Sequence, residues 1–248
     1  MNMRGKLKIS WLVFISAFMA SSFSYGQTQD SYEYNSEFTW GINKNSAGGL
    51  IGGFTFKKAR RLNERIFETY GLEIMNVKNP QEVRVQAQAT GNFFIFGKSN
   101  YLYAFRFQYG RDFILFTKAP QQGVEIKAVF AVGPSIGIVA PYYIQRGDGS
   151  QTKSVNEQYN PANVNHKIEN IYGTGDLFEG IEKSDIQFGA NAKFGLNFEL
   201  GIVKSQVTGF EVGVLVDAYF KEVVLMPTAP NRAVFPTVYF TLFYGSRK

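Results

Sequence analysis

Fifteen consecutive residues, Ile186 to Leu200, alternate between two chemistries without a break. Ile186, Phe188, Ala190, Ala192, Phe194, Leu196, Phe198 and Leu200 fall on one parity, and Gln187, Gly189, Asn191, Lys193, Gly195, Asn197 and Glu199 on the other. Successive side chains of a β-strand point to opposite faces, so this segment has one apolar face and one wet face. At about 3.3 Å per residue it is much longer than an average strand and can cross a bilayer at a tilt. The pattern recurs along the chain and predicts an all-β fold, a transmembrane antiparallel up-and-down β-barrel.

The first 26 residues read as an export signal, with Arg4, Lys6 and Lys8 ahead of an apolar core from Ile9 to Met19. Ser24 and Gly26 stand at the −3 and −1 positions of a cleavage site, which makes Gln27 the first mature residue. The apolar core is too short to cross a bilayer as a helix, which needs about 20 residues. The mature chain, 27–248, is then 222 residues long, within the size of one all-β domain. Its net charge falls from +6 to +3 once the three basic residues of the signal are removed, so nucleic acid is not expected as a partner.

With no cysteine, thiolate chemistry and a disulfide framework are excluded; one histidine, His166, leaves few metal or general-base routes. No cofactor, metal or catalytic residue is assigned. Twenty-four Phe and 14 Tyr accompany a slightly negative mean hydropathy, a combination that suits an outer-membrane barrel.

Eight strands are predicted, at Glu37–Lys44, Leu50–Lys57, Glu68–Asn76, Tyr101–Gly110, Val124–Tyr142, Ile186–Leu200, Thr208–Phe220 and Phe235–Tyr244. Phe93–Phe96 and Phe113–Phe116 are left over and would make ten strands if both joined the barrel. Pro134 removes a ladder donor, which predicts a bulge or bend there and strand exit near Pro141. Long connections at 77–100, 143–185 and 221–234 fall on one side of the membrane, the extracellular side of an outer-membrane barrel.

The aromatic parity is expected to face lipid. Turning the other parity outward would expose Arg106, Lys127 and Lys193, and a Lys or Arg at the bilayer midplane costs about 2–4 kcal/mol. An eight-stranded barrel has room inside only for side chains. Glu73, Arg106, Glu125, Lys127, Lys193, Glu199, Glu211 and Asp217 should therefore pair across a filled lumen.

With its Gly26/Gln27 junction, the run Gly133-Pro134-Ser135-Ile136-Gly137 and the aromatic end Thr241-Leu242-Phe243-Tyr244-Gly245, the chain resembles a small outer-membrane β-barrel protein of the Bacteroidota type. The resemblance is one of architecture. It implies a structural or accessory subunit without enzymatic activity, partnered by outer-membrane lipid and by other outer-membrane or periplasmic proteins.

The extracellular loop 145–184 is the strongest candidate for function. Its first half reads as solvated coil, and Leu177–Ile181 as an apolar turn over the barrel mouth or against a partner. Weaker signals are the adhesion-like tripeptide Arg146-Gly147-Asp148, the acids Asp148, Asp176 and Asp185 as calcium ligands, and His166 near Ser150 and Ser154 as a base. Each is read as ordinary loop, His166 as a solvated loop residue. Lys57, Lys58, Arg60, Arg61 and Arg65 form a basic cluster on the periplasmic side, suited to anionic headgroups or an acidic partner. The alternatives to an accessory barrel are a lipid A-modifying or esterase-like enzyme, a small passive pore, and a soluble lipocalin-like barrel.

Overall fold

The computed structural model describes residues 34–48, 52–117, 123–147, 154–176, 179–200 and 205–248. The expected signal 1–26 lies outside these, as do Leu50, Asp148, Ser150, Leu177 and Phe178. The described strands are β1 (Ser36–Asn45), β2 (Gly53–Arg61), β3 (Ile66–Val77), β4 (Arg84–Gln86), β5 (Phe93–Ile95), β6 (Asn100–Phe116) and β7 (Glu125–Pro141), then β8 (Tyr143–Gly147), β9 (Ser154–Gln158), β10 (Ile171–Thr174), β11 (Asp185–Glu199), β12 (Gln206–Val223) and β13 (Arg232–Arg247).

Eight of them, β1, β2, β3, β6, β7, β11, β12 and β13, pair antiparallel in chain order, and β13 closes on β1 to make a barrel. The closing ladder runs in unbroken register from Glu37↔Arg247 to Asn45↔Tyr239. The short strands stay outside the ring as a β4–β5 hairpin and a β10–β8–β9 sheet. Phe93–Ile95 thus forms part of this accessory structure, while Phe113–Phe116 only lengthens β6. The barrel has eight strands, not ten.

Two local expectations are corrected. β2 lies further along than Leu50–Lys57, because its register with β1 and β3 places Phe54, Phe56, Lys58 and Arg60 outward and carries the ladder to Arg61. No bulge forms at Pro134; the barrel ladders shift register instead between Ile114 and Phe116 on β6 and between Ala218 and Val223 on β12. Around Pro134 the β7–β11 register is continuous, so the missing donor is absorbed without an extra residue.

The stagger of the barrel can be read from its register. Starting at Phe198 on β11, successive partners are Phe210, Leu242, Ile42, Phe54, Ile74, Phe105, Ile136 and finally Phe188, again on β11. The circuit returns ten residues from its start, from 198 to 188. Ten residues at about 3.3 Å, over eight strands about 4.8 Å apart, correspond to a strand tilt of about 40°. Every residue on this circuit is apolar. The outward row from Phe210 to Phe220 on β12 then rises about 25 Å along the axis, the height of the apolar band of membrane barrels.

Outward positions on all eight strands carry exposed apolar groups, among them Trp40, Phe56, Phe107, Val132, Phe188, Val214 and Leu242. The opposite parity is buried and polar, including Glu73, Arg106, Lys127, Asn191, Glu211 and Asp217. A soluble β-protein has the reverse arrangement. Val214, about 50% exposed near the middle of its strand, tests the outward face. V214R should lower stability in phospholipid bilayers by about 2–4 kcal/mol in reversible denaturant unfolding, whereas a barrel surrounded by water would tolerate it.

Candidate functional site

Two regions decide what this barrel can do: its lumen, and the end remote from the first and last strand residues, called here the far end. The lumen is filled by ionic layers to which every barrel strand contributes.

Toward the far end, Arg106 on β6 donates through Nη1 to Glu73 Oε1 on β3 at 2.7 Å and through Nε to Asp217 Oδ2 on β12 at 2.9 Å. Ser135 on β7 donates to Asp217 at 3.0 Å, and Asn191 on β11 to Ser135 at 3.0 Å. Asn43 on β1 donates to Glu73 at 3.0 Å. Below this, Glu211 is shared: Lys193 approaches it at 2.8 Å, Lys57 at 3.3 Å and the Tyr239 hydroxyl at 2.9 Å. Lys57 also meets Asp112 at 2.7 Å. Gly195 and Gly213 leave the space for the Tyr239 phenol, with which a Cβ at either position would collide. At the near end, Lys127 lies among Glu37, Glu125 and Glu199 at 3.4, 3.2 and 3.9 Å. Arg247 pairs with Glu37 and Glu199, its guanidinium over the Tyr34 ring.

These groups need one another. A charge buried in a low-dielectric interior is tolerated only when paired and hydrogen-bonded. The sequence-predicted inward set is brought together as expected, and Lys57, Asp112, Glu37 and Arg247 join it. The alternation found the first group; Lys57 and Arg247 were missed because their strands run beyond the expected ends. Apolar packing seals both ends of the ionic stack. Met75, Leu102, Val139, Tyr219 and Val223 cluster at the far end, and Phe67 and Ile114 pack with Ala59 and Tyr34 at the near end.

Above the far-end cluster lies a cap. The connection 142–184, expected to begin as coil, carries β8, β9 and β10 as a three-stranded sheet. Tyr142, Ile144, Tyr159 and Ile171 form an apolar core with Ala87 and Phe94 of the β4–β5 hairpin. The Tyr142 hydroxyl accepts from the Ile95 amide at 2.9 Å, and Ser99 donates to the Tyr159 carbonyl at 2.8 Å. The hairpin connection also reaches the other far-end turns: the Lys78 amide donates to the Ala47 carbonyl at 2.7 Å, and the Ser99 amide to the Leu225 carbonyl at 2.9 Å. Lys98 is buried beneath the cap against Glu82 at 2.8 Å. Burial pushes its ammonium pKa down, which Glu82 offsets only in part.

The sequence-level site candidates separate here. His166 is not solvated but buried, stacked on Tyr159. Its Nδ1 accepts from the Asn160 backbone amide at 2.8 Å, which places the proton on Nε2, 3.0 Å from Glu157 Oε1. Both ring nitrogens are therefore engaged, and Ser154 is placed apart as an exposed residue of β9. Arg146 pairs with Glu157 from within β8, and Gly147 lies buried against the Tyr172 ring, so these two residues of the tripeptide belong to the sheet; Asp148 lies outside the described residues. Among the described residues no cluster of acids or histidine could hold a metal ion. The basic cluster divides by strand parity: Lys57 and Arg61 turn inward, Lys58 and Arg60 outward, and Arg65 sits in the turn.

No family model and no curated protein sequence matches the chain. Among solved structures it is similar to Ail, the attachment invasion locus protein of Yersinia pestis, over 87% of this chain and 99% of that one, at 10% identity and a TM-score of 0.40. The complex of Ail with the heparin analogue sucrose octasulfate gives 87% and 99%, 11% identity and 0.37. Neisserial surface protein A (NspA) gives 88% and 98%, 11% identity and 0.34. The barrel itself is established by its strand ladder, independently of these similarities.

Removing Arg106 strands Asp217 without a counter-charge and leaves Glu73 only the more distant Lys193, at 3.8 Å, so R106A should cost about 3–5 kcal/mol in denaturant unfolding. The cap should respond to acid. Burial alone would raise the Glu157 carboxyl, but hydrogen bonds from Arg146 and His166 outweigh it and hold the pKa below its ordinary value. Its contribution is thus fully present above the ordinary carboxylate range and is lost as pH falls through the lower folded value. The protection factors of the Tyr159 and Asn160 amides, taken against the intrinsic exchange rate at each pH, should fall on that descent, and E157Q should show the lower protection already at neutral pH.

Proposed function

We propose that the chain is an integral outer-membrane barrel with a filled lumen, acting through its far-end cap as a structural or accessory subunit of an outer-membrane assembly. The observation that carries this reading is the inverted distribution of side chains. An apolar surface on all eight strands, about 25 Å tall on β12, surrounds an ionic interior. Soluble monomers rarely expose continuous apolar patches larger than a few hundred Å². The near end, where the connections 62–65, 117–124 and 200–205 are the shorter ones, then faces the periplasm, and the capped end with its long connections faces outward. Residues 1–26 supply the export signal in this reading.

The subunit role draws its support from the cap. A long connection folded into a sheet, with its own core, is a shaped surface rather than a solvated tether. The paired lumen argues against a passive pore, and the two engaged nitrogens of His166 argue against a histidine-dependent hydrolase on the cap.

The test is extraction followed by partner identification. The chain should require detergent for release from membranes and should co-purify with the same outer-membrane or periplasmic proteins from independent preparations in mild detergent. A chain recovered without partners would remove the subunit reading. Stable open channels in planar bilayers would overturn the filled lumen, and a change of lipid A composition abolished by H166A would favour the enzyme.

A further inference from the structure

The outward charges near the near end are unevenly distributed. Lys58 and Arg60, two residues apart on β2, are both exposed and on one face. Their Cα atoms lie about 7 Å apart, a spacing that two long flexible side chains can close onto one tetrahedral anion. Beside them, Tyr70 on β3 and Tyr109 on β6 stand in cross-strand register, their rings 5.4 Å apart. Lys58 is the register partner of Tyr70, and Arg60 of Glu68.

Glu68 does not neutralise this pair. It accepts from the Tyr109 hydroxyl at 2.7 Å and from Arg111 at 3.1 Å, and Arg111 also lies over the Tyr109 ring. Lys58 and Arg60 have no side-chain hydrogen bond or ion pair among the described residues. Near the same end, outward positions on β7, β12 and β13 are Ile126, Thr208 and Ser246, none of them charged. A cationic sector therefore occupies the faces of β2, β3 and β6 and borders the apolar belt through Phe56 and Phe38.

We infer that Lys58 and Arg60, framed by Tyr70 and Tyr109, bind the phosphate headgroup of an anionic phospholipid in the leaflet around the near end. The inference rests on the membrane reading above. The apolar belt holds the acyl chains, the tyrosines sit at headgroup level with hydroxyls toward water, and the two unpaired cations meet the phosphodiester. Zwitterionic lipids carry their own counter-charge and offer less to this sector.

Native mass spectrometry of the detergent-solubilised barrel, titrated with phosphatidylglycerol and phosphatidylcholine of equal chain length, tests it. The unaltered chain should retain phosphatidylglycerol preferentially. K58Q and R60Q should each reduce that preference about fivefold, K58R with R60K should restore it, and R65Q, in the turn, should leave it unchanged. Heat-dependent gel mobility checks that each variant is folded, and the single variants carry the test if the double one does not fold. Equal retention of both lipids by the unaltered chain, or an R65Q loss matching that of K58Q, overturns the site. Displacement by millimolar inorganic phosphate overturns the lipid as its source. A folded barrel that needs detergent but shows no preference removes this inference alone, whereas a chain that remains soluble without detergent removes the membrane reading as well.

Discussion

The hydrogen-bond ladder between β1 and β13 is the constraint from which the rest follows. Inside hydrocarbon no water can satisfy an orphaned N–H or C=O, so a sheet survives there only if it has no edge. Nine consecutive register pairs close the ring. Closure at eight strands with a ten-residue stagger fixes the tilt, and the tilt fixes how many outward residues span the apolar band. A narrow ring also leaves no room for bulk water, so the inward charges must satisfy one another.

That obligation explains the lumen's composition. Glu211 meets Lys193 from the neighbouring strand and Lys57 from across the barrel, and Arg106 ties β6 to β3 and β12. The Lys57–Glu211 and Arg106–Asp217 pairs connect strands that share no backbone ladder, so they oppose flattening of the cylinder. Buried ion pairs are weak evidence for net stability. Here they fix cross-section and register, because a strand slipped by one residue would turn Lys193 into lipid and Phe194 into the lumen.

Much of this was legible in the sequence because a strict period of two has one structural meaning. Strand existence, the orientation of each face and the order of long and short connections follow from alternation alone. Strand ends were less legible. Lys57 and Arg247 read as terminal charges when taken singly, and only their cross-barrel partners reveal them as interior. The cap was illegible for a related reason: β8, β9 and β10 are short, lack sustained alternation and depend on Ala87 and Phe94 from a distant hairpin. His166 was misplaced because its burial is created by Tyr159 and Glu157 after that sheet has formed.

The tie between Ser99 and Leu225 has a consequence for how the molecule matures. These residues belong to connections rooted on opposite arcs of the ring, β3–β6 and β12–β13, and the Lys78–Ala47 contact adds the β1–β2 turn. An unclosed or misregistered cylinder would hold those anchor points too far apart for the roof to settle. Protection of the roof amides thus depends on the ring beneath it, and reports that the circle has been drawn correctly.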